Sequence, residues 1–258
     1  NGSCGGLYQK ARGCICVIIE GINQFSFGGR RSYDDMGLII TEPPVFTFPE
    51  RDISYIGIPG KSGDLIRDSG RYKNISGSYK VAVVHDEFPL ETMMTEIRSW
   101  LVGNIGYSVL TDTYDPLYYR MARLDGKLSF TEILRQIGTG TVKFNCKPYK
   151  YRVDGRHVIT LAGAGAVFNP EHAESTPYIK ITGSGNITLT VNHASFPFTD
   201  IDGYIEIDSD IMAVYKGTLL QNEKAHFTEF PKFGEGENNV SVQGSVAKIE
   251  IIPRWCAL

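Results

Sequence analysis

The sequence lacks the features that would place it in several common classes of protein. No apolar run approaches the ~20 residues that a membrane-spanning helix needs. The formal net charge is only −3, which argues against a nucleic-acid binder that relies on bulk positive charge. We therefore expect no membrane insertion and no specific binding of DNA, although net charge alone does not exclude a local basic patch.

Cysteine is scarce, and its spacing fits no metal motif. Cys4, Cys14 and Cys16 crowd the N-terminus, but no Cys-x-x-Cys pair or nearby histidine completes a set of zinc ligands. Cys146 and Cys256 lie in apolar, strand-like contexts, which predicts buried thiols. Because the total of five is odd, we expect the chain to fold in a reducing compartment.

The sequence also lacks a complete catalytic or phosphate-binding motif. Neither His-Glu-x-x-His nor Gly-x-Ser-x-Gly occurs, and the histidines are scattered. Gly60-Lys61-Ser62 resembles the end of a phosphate-binding loop, but Tyr55 stands where that loop needs its first glycine. The acidic residues of 200–210 lack the order of a calcium loop, and Glu206 and Asp208 are expected on a solvated strand face. We predict no enzyme, no cofactor and no metal.

The sequence is rich in residues of turns and strands, with 28 Gly, 14 Tyr and 13 Phe. Residues 46–84 show this most clearly. Their second half alternates, with Ile75 and Tyr79 on one side and Ser76 and Lys80 on the other, which is typical of a half-buried strand. Their first half also favours a strand, and glycine-rich turn residues separate the two. We predict a long β-hairpin arm over residues 46–84.

The predicted length of this arm indicates what it does. Strands of about a dozen residues reach roughly 40 Å, whereas a 100-residue domain has a radius of gyration of ~13 Å. An isolated ribbon is marginally stable in water, so either another subunit covers the arm or it folds back over its own core. For the first alternative, we predict that Tyr55, Ile56, Ile58, Tyr72, Ile75 and Tyr79 contact the other subunit.

One helix and one long strand are expected after the arm. Apolar residues at Leu90, Met93, Met94, Ile97 and Leu101 predict an amphipathic helix over residues 89–102. Residues 105–151 return to β character. Spacing within 130–137 also fits a helix, but the alternation within 142–146 favours a long, bent antiparallel strand.

The chain divides into three predicted parts. Residues 1–22 differ in composition from the rest, and we interpret them as a leader or an expression-derived extension. Residues 23–152 are expected to form an N-terminal β domain with one helix and the arm. Residues 153–258 contain short alternating strands between Gly, Asn and Pro turns, which predicts an antiparallel β-sandwich.

Several separated segments resemble one family, the distal tail proteins of long-tailed bacteriophages with non-contractile tails. The N-terminal segments are 32–38, 52–65, 70–75 and 144–149. The C-terminal ones are Asn169-Pro170, Gly183-Ser184-Gly185-Asn186-Ile187, Phe230-Pro231, Gly236-Glu237-Asn238 and Pro253-Arg254-Trp255. The resemblance covers roughly residues 23–258 and implies a mainly β fold with a galectin-like C-terminal sandwich.

The resemblance also implies a structural role. Members of this family form a hexameric ring, which the arm helps to close like a belt. Such a ring would join the tail tube protein to tail-tip, baseplate or receptor-binding proteins and let DNA pass through. The protein would be assembled in the bacterial cytoplasm and reside at the tail tip of the virion. The alternative is a carbohydrate-binding module, in which Trp255, Tyr204 and Tyr215 of the sandwich would contact bacterial surface sugars.

Overall fold

The computed structural model describes residues 21–84, 90–126, 129–134 and 137–258, and this part of the chain is mainly β. The first strands are β1 (Phe25–Phe27), β2 (Arg30–Arg31), β3 (Leu38–Ile40), β4 (Val45–Phe46), β5 (Arg51–Ile56), β6 (Leu65–Tyr72) and β7 (Ile75–Val84), followed by the helix α1 (Leu90–Val102) and by β8 (Ser108–Asp112), β9 (Tyr118–Leu124), β10 (Ser129–Leu134) and β11 (Ile137–Arg152). The second half contains β12 (Ile159–Leu161), β13 (Ala164–Asn169), β14 (Tyr178–Val191), β15 (Ala194–Ile201), β16 (Tyr204–Asp208), β17 (Ala213–Lys216), β18 (Leu219–Leu220), β19 (Gly236–Ile252) and β20 (Cys256–Ala257).

The N-terminal half is an antiparallel sheet with α1 against one face. Its strand order is β2-β1-β8-β9-β11-β7-β3; in addition, β10 and β20 pair with β11, and β4 pairs with β7. The long strand β11 pairs with β7 from Ile137↔Val84 to Cys146↔Ile75. This confirms the long strand predicted before residue 151, and the segment with helical spacing is the separate strand β10.

The helix α1 confirms the amphipathic period read from the sequence. It begins at Leu90 and ends at Val102, and Met93, Ile97 and Leu101 are buried against the sheet. Trp100 is buried with them although it lies outside the predicted apolar stripe. Its indole Nε1 donates a hydrogen bond of 2.9 Å to the backbone oxygen of Phe27. The only polar atom of this buried side chain therefore has a hydrogen-bond partner.

The C-terminal half is an antiparallel β-sandwich built on two long, bent strands. The first part of β14 pairs with β16, whereas its second part pairs with β15, and β19 follows the same bend. Side chains from both parts of β14 meet in one hydrophobic core. The bend needs small residues, because a Cβ on Gly183 would approach the backbone oxygen of Ser245 to 2.4 Å. The alternating apolar positions of these strands are all buried: Ile179, Ile181, Ile187, Leu189, Val191, Ile205, Ile207, Ile249 and Ile251.

The chain end returns to the N-terminal sheet. Strand β20 pairs with Lys150 and Tyr151 of β11, and the backbone oxygen of Trp255 accepts a hydrogen bond of 2.9 Å from Arg152. The two hydrophobic cores fall on either side of the boundary that we predict near residue 153. The boundary itself stays a prediction, because this returning strand joins the two halves.

The described residues hold no helix that is long and apolar enough to cross a membrane. Most of the predicted leader, residues 1–20, lies outside the described residues, and so do Cys4, Cys14 and Cys16.

The buried thiols give a first testable prediction. Cys146 and Cys256 are free and buried as predicted, and burial raises the pKa of each thiol to about 12. Since only the thiolate reacts with alkylating reagents, native protein at about pH 8 should resist iodoacetamide at both positions, whereas urea-unfolded protein should react. Peptide mass spectrometry reports each site separately. Comparable labelling of native and unfolded protein at either cysteine would contradict this placement.

Candidate protein interaction surface

Strands β5 and β6 form a two-stranded sheet of their own, which we call the arm (residues 51–72). Their register pairs Ile53 with Asp68 and Ile56 with Leu65. The predicted arm of 46–84 was therefore too long. Its second half, β7, lies inside the N-terminal sheet, where it pairs with β11, β3 and β4. Alternation shows that one face of a strand is buried, but it does not show which sheet the strand belongs to.

The root of the arm is tied to the sheet and is polar. The Tyr72 ring packs edge-on against Tyr149 at 6.0 Å, and the Arg51 guanidinium lies 5.3 Å from the centre of the Tyr72 ring. The Arg51 guanidinium also pairs with Asp68 at 3.4 Å. Gly70 has a φ of +73°, in the left-handed region, at the register shift next to the root. These contacts fix the direction in which the arm leaves the sheet.

The outer part of the arm is apolar and exposed on both faces. We define the arm tip as Tyr55, Ile56, Leu65 and Ile66. Their exposed fractions are 63%, 42%, 53% and 61%, which is unusual for four large apolar side chains in neighbouring rungs. The turn that follows β5 contains Gly60-Lys61-Ser62, which lies at the end of the hairpin as expected and opens no helix.

The structure separates the six predicted contact residues into two groups. Tyr55, Ile56 and Ile58 are exposed on the arm, and Tyr72 is half-buried at its root. Ile75 and Tyr79 are buried in the N-terminal core, so their assignment to an exposed arm was wrong. Leu65 and Ile66 were not among the predicted contacts, because turn residues surround them in the sequence. Their apolar character was the only feature of the sequence that could have revealed them.

Tyr79 instead lies beside a small cavity. The cavity has a volume of about 120 Å³ and is lined by Phe46, Asp112 and Arg120 among others. The Tyr79 hydroxyl donates a hydrogen bond of 2.7 Å to Asp112, and burial together with this carboxylate raises the pKa of Tyr79. The Arg120 guanidinium lies 4.3 Å from the centre of the Phe46 ring. The polar groups around the cavity that are named here thus have partners within the chain. The described residues contain no cluster of three or more potential metal ligands.

The residues predicted to bind sugar do not form one exposed surface. Trp255 is buried in the sandwich core, which contradicts its predicted contact with a ligand. The Tyr204 ring is half-buried, and the Lys180 and Lys216 ammonium groups lie 4.4 Å and 5.4 Å from its centre. Tyr215 packs against another tyrosine of the outer sheet face. Stacking on a sugar needs a free aromatic face, and the buried ring of Trp255 does not offer one. Contact of Tyr204 and Tyr215 with sugars stays a prediction.

One member of the acidic run is also placed differently from the prediction. Asp208 is buried rather than solvated, and it accepts hydrogen bonds of 2.6 Å and 2.8 Å from the Arg254 guanidinium. Burial alone would raise the pKa of Asp208, but Arg254 holds it below its ordinary value. Glu206 stays half-buried and accepts a hydrogen bond of 2.5 Å from the Tyr178 hydroxyl. Both carboxylates therefore have structural partners.

Comparisons with known proteins bear on the fold. A scan against protein-family models and a search of curated proteins found no match. Among solved structures, the chain is similar to the SPP1 Dit protein (gp 19.1), described as a paradigm of the hub of the adsorption apparatus in phages that infect Gram-positive bacteria. The TM-score is 0.69 over 92% of this chain and 100% of that one, at 12% sequence identity. The chain has the Dit fold.

This similarity confirms the fold class implied by the resemblance in sequence. The Dit fold is mainly β, as is this chain, and the match extends over nearly all of it. The protein with which it is compared is described as a hub of a phage adsorption apparatus. At this level of identity the similarity concerns the fold alone.

Proposed function

We propose that this chain is the hub protein of a bacteriophage tail tip, in which copies of the chain assemble into a six-fold ring through the arm. The single observation that carries the proposal is the arm tip, which exposes large apolar side chains on a ribbon that extends from the sheet. The Dit fold supports it, because SPP1 Dit is itself described as a hub protein.

The arm has the properties of an assembly device. Aromatic and large aliphatic side chains are the usual anchors at the centre of protein interfaces. The arm tip carries four such side chains, whereas the root carries charged residues that are paired with one another, such as Arg71 with Asp52 at 2.8 Å. The arm would therefore hold its own direction at the root and bury its tip against another subunit.

A ring is the assembly that such an arm favours. In the proposed assembly the arm tip binds a different part of the next copy, so each contact is heterologous and repeats from copy to copy. A repeated heterologous contact forms a closed ring when its rotation closes. In this assembly residues 23–152 would form the ring, and residues 153–258 would be available to other tail components.

The partners follow from that position. The ring would join the tail tube protein to tail-tip, baseplate or receptor-binding proteins, and it would sit at the tail tip of the virion after assembly in the bacterial cytoplasm. DNA would pass through the ring without specific binding, which agrees with the small negative net charge of the chain. The function would rest on buried interfaces and not on a chemical reaction.

A genetic experiment tests this proposal. Disrupting the gene in the phage or prophage that encodes the chain should abolish infectivity and leave tails without a normal tip in electron micrographs. The wild-type gene supplied in trans should restore both, and antibodies against the chain should label the tail tip. Normal tails and normal infectivity without the protein would overturn the proposal.

A further inference from the structure

The cavity beside Tyr79 lies where one face of the N-terminal sheet changes from apolar to charged. Directly opposed residues of an antiparallel pair point to the same face, and so do residues two apart in one strand. Leu110 is a core residue and is opposed to both Phe27 and Arg120. The side chains of Arg120 and Asp112 therefore point to the face that holds the hydrophobic core, and both line the cavity.

The Phe46 ring forms one wall of this cavity. Phe46 is opposed to Gly77 in the sheet, and a Cβ on Gly77 would lie only 2.5 Å from the ring. The missing side chain at Gly77 thus leaves the space that the ring occupies. The ring meets Tyr79 edge-on at 5.9 Å, and the Arg120 guanidinium lies over it at 4.3 Å from its centre. The wall therefore holds the guanidinium at the cavity.

The donors of Arg120 are not used within the described part of the chain. The side chain is half-buried, and the Phe46 ring is the only partner that the described residues give its guanidinium. A guanidinium has five N–H donors, and an aromatic ring does not supply the oxygen acceptors that they bind best. The cavity thus contains a positive group that can still donate several hydrogen bonds.

The carboxylates at the cavity are already bound. Asp112 accepts hydrogen bonds from the Tyr79 hydroxyl and from two backbone N–H groups of the residues that follow it. Asp115 pairs with the Lys150 ammonium group at 3.1 Å. An added cation would compete with these partners, whereas an added anion finds the unused donors of Arg120. The cavity therefore favours an anionic ligand.

The size of the cavity limits this ligand further. Its volume of about 120 Å³ corresponds to about four water molecules at ~30 Å³ each. Sites for drug-sized ligands measure roughly 300–1,000 Å³, so this cavity suits a single functional group with a short carbon chain. The fork of a guanidinium matches the two oxygens of a carboxylate, and Pro44 and Phe46 offer apolar surface to the carbons.

We propose that this cavity binds one carboxylate group, which the Arg120 guanidinium holds while its short carbon chain packs on the Phe46 ring. The carboxylate belongs either to a small organic acid or to an acidic side chain of another protein. Both sources present the same group to Arg120. The inference concerns a site on the sheet and does not depend on the proposed ring.

Saturation-transfer NMR with propionate tests the site on the full chain. Propionate carries the carboxylate and the two outer carbons of a glutamate side chain. It should bind saturably, with a dissociation constant in the low millimolar range expected for so small a ligand. Propanol lacks the carboxylate and propylammonium reverses the charge, so both should bind at least about ten times more weakly. No saturable binding of propionate, or equal binding of all three compounds, would overturn the proposal.

Three variants locate the bound propionate. Arg120→Met keeps a side chain over the Phe46 ring but removes the charge and the donors, so it should weaken binding at least about tenfold. Arg120→Lys keeps the charge without the fork and should also weaken binding. Arg123→Met removes an exposed arginine from the same strand and should bind like the wild type. Wild-type binding by either Arg120 variant, or an equal loss in Arg123→Met, would overturn the site. Unchanged thermal midpoints show that each variant is folded.

A capped peptide distinguishes the two sources of the carboxylate. Acetyl-Ala-Glu-Ala-amide presents the same group on a peptide backbone. Binding about ten times tighter than that of propionate, and lost in Arg120→Met, would support the site and assign the carboxylate to a protein partner. Binding equal to or weaker than that of propionate would support the site and assign the carboxylate to a small organic acid.

Discussion

Tyr55→Ser combined with Ile66→Ser is expected to convert rings of this protein into folded monomers. Each side chain is large, exposed in the single chain and placed at the centre of the proposed contact. Truncation of such an anchor commonly costs 2 kcal/mol or more, roughly a thirtyfold loss of affinity for each residue. A ring loses this binding free energy at every contact. The equilibrium between ring and monomer should therefore shift further than it would for a single interface. Light scattering after size exclusion measures the mass.

The sandwich offers a matched control for this prediction. Leu219 and Leu220 are as exposed as the residues of the arm tip, and they lie on the short edge strand β18. Leu219→Ser with Leu220→Ser removes a similar amount of exposed apolar surface far from the arm in sequence. We expect this variant to keep the wild-type mass. If the two variants assemble equally well, or fail equally, the arm tip has no special role in assembly.

The Asp208–Arg254 pair carries the second large expected effect, on stability. Asp208→Asn removes a carboxylate that accepts two hydrogen bonds from Arg254 and leaves a partly buried guanidinium without its charge partner. Breaking one partner of a buried pair costs about 3 kcal/mol. The position also lies beside Trp255 and the returning strand β20, so the loss should affect both halves of the chain. Urea denaturation at neutral pH measures the free energy of unfolding.

The same pair predicts how stability depends on pH. Arg254 holds the pKa of Asp208 below its ordinary value in the folded protein. A carboxylate with a lowered pKa stabilises the fold above its unfolded pKa of about 3.9, and this contribution is lost as the pH falls through the folded pKa. The difference in stability between the wild type and Asp208→Asn should therefore be full at neutral pH and shrink below about pH 4.

Asp154→Asn is the control for the buried pair. Asp154 also pairs with an arginine, Arg152, but its side chain is 51% exposed. Exposed ion pairs contribute at most about 1 kcal/mol, so this variant should change stability little at any pH. Equal losses of unfolding free energy in the two variants would show that burial does not explain the contribution of the Asp208–Arg254 pair.

Local patterns of the sequence predicted most of the framework. The isoleucines at 179, 181, 249 and 251 alternate with polar residues because each strand buries one face, and the structure buries all four. The helical spacing of Met93, Ile97 and Leu101 predicted the buried face of α1 for the same reason. Both patterns depend only on neighbours along the chain, which a single sequence contains in full.

The arm shows where such patterns stop being informative. Alternation in β7 showed a half-buried strand, but strand partners are set by contacts distant in sequence, and here β7 is enclosed by β11 and β3. The reverse error affected Leu65 and Ile66, because nearby glycines and aspartates suggested a wide turn. The residues that carry the proposed function were thus partly assigned to the wrong strand.

Long-range pairing explains the two corrections in the sandwich. Asp208 alternates with Ile207 as a solvated residue would, yet Arg254 approaches it from a position 46 residues away in sequence. Trp255 could not be distinguished from an exposed aromatic ring by its neighbours alone. It is buried in the sandwich core, directly before β20, which returns to pair with β11.

The mass of the protein in solution tests the central claim most directly. We would compare the full chain with a variant in which residues 54–67 are replaced by Asn-Gly, a two-residue turn that joins the opposed residues Ile53 and Asp68. We expect the full chain near six times 28.6 kDa and the shortened one as a folded monomer. A full chain that stays monomeric, or a shortened chain that still forms the ring, would contradict assembly through the arm.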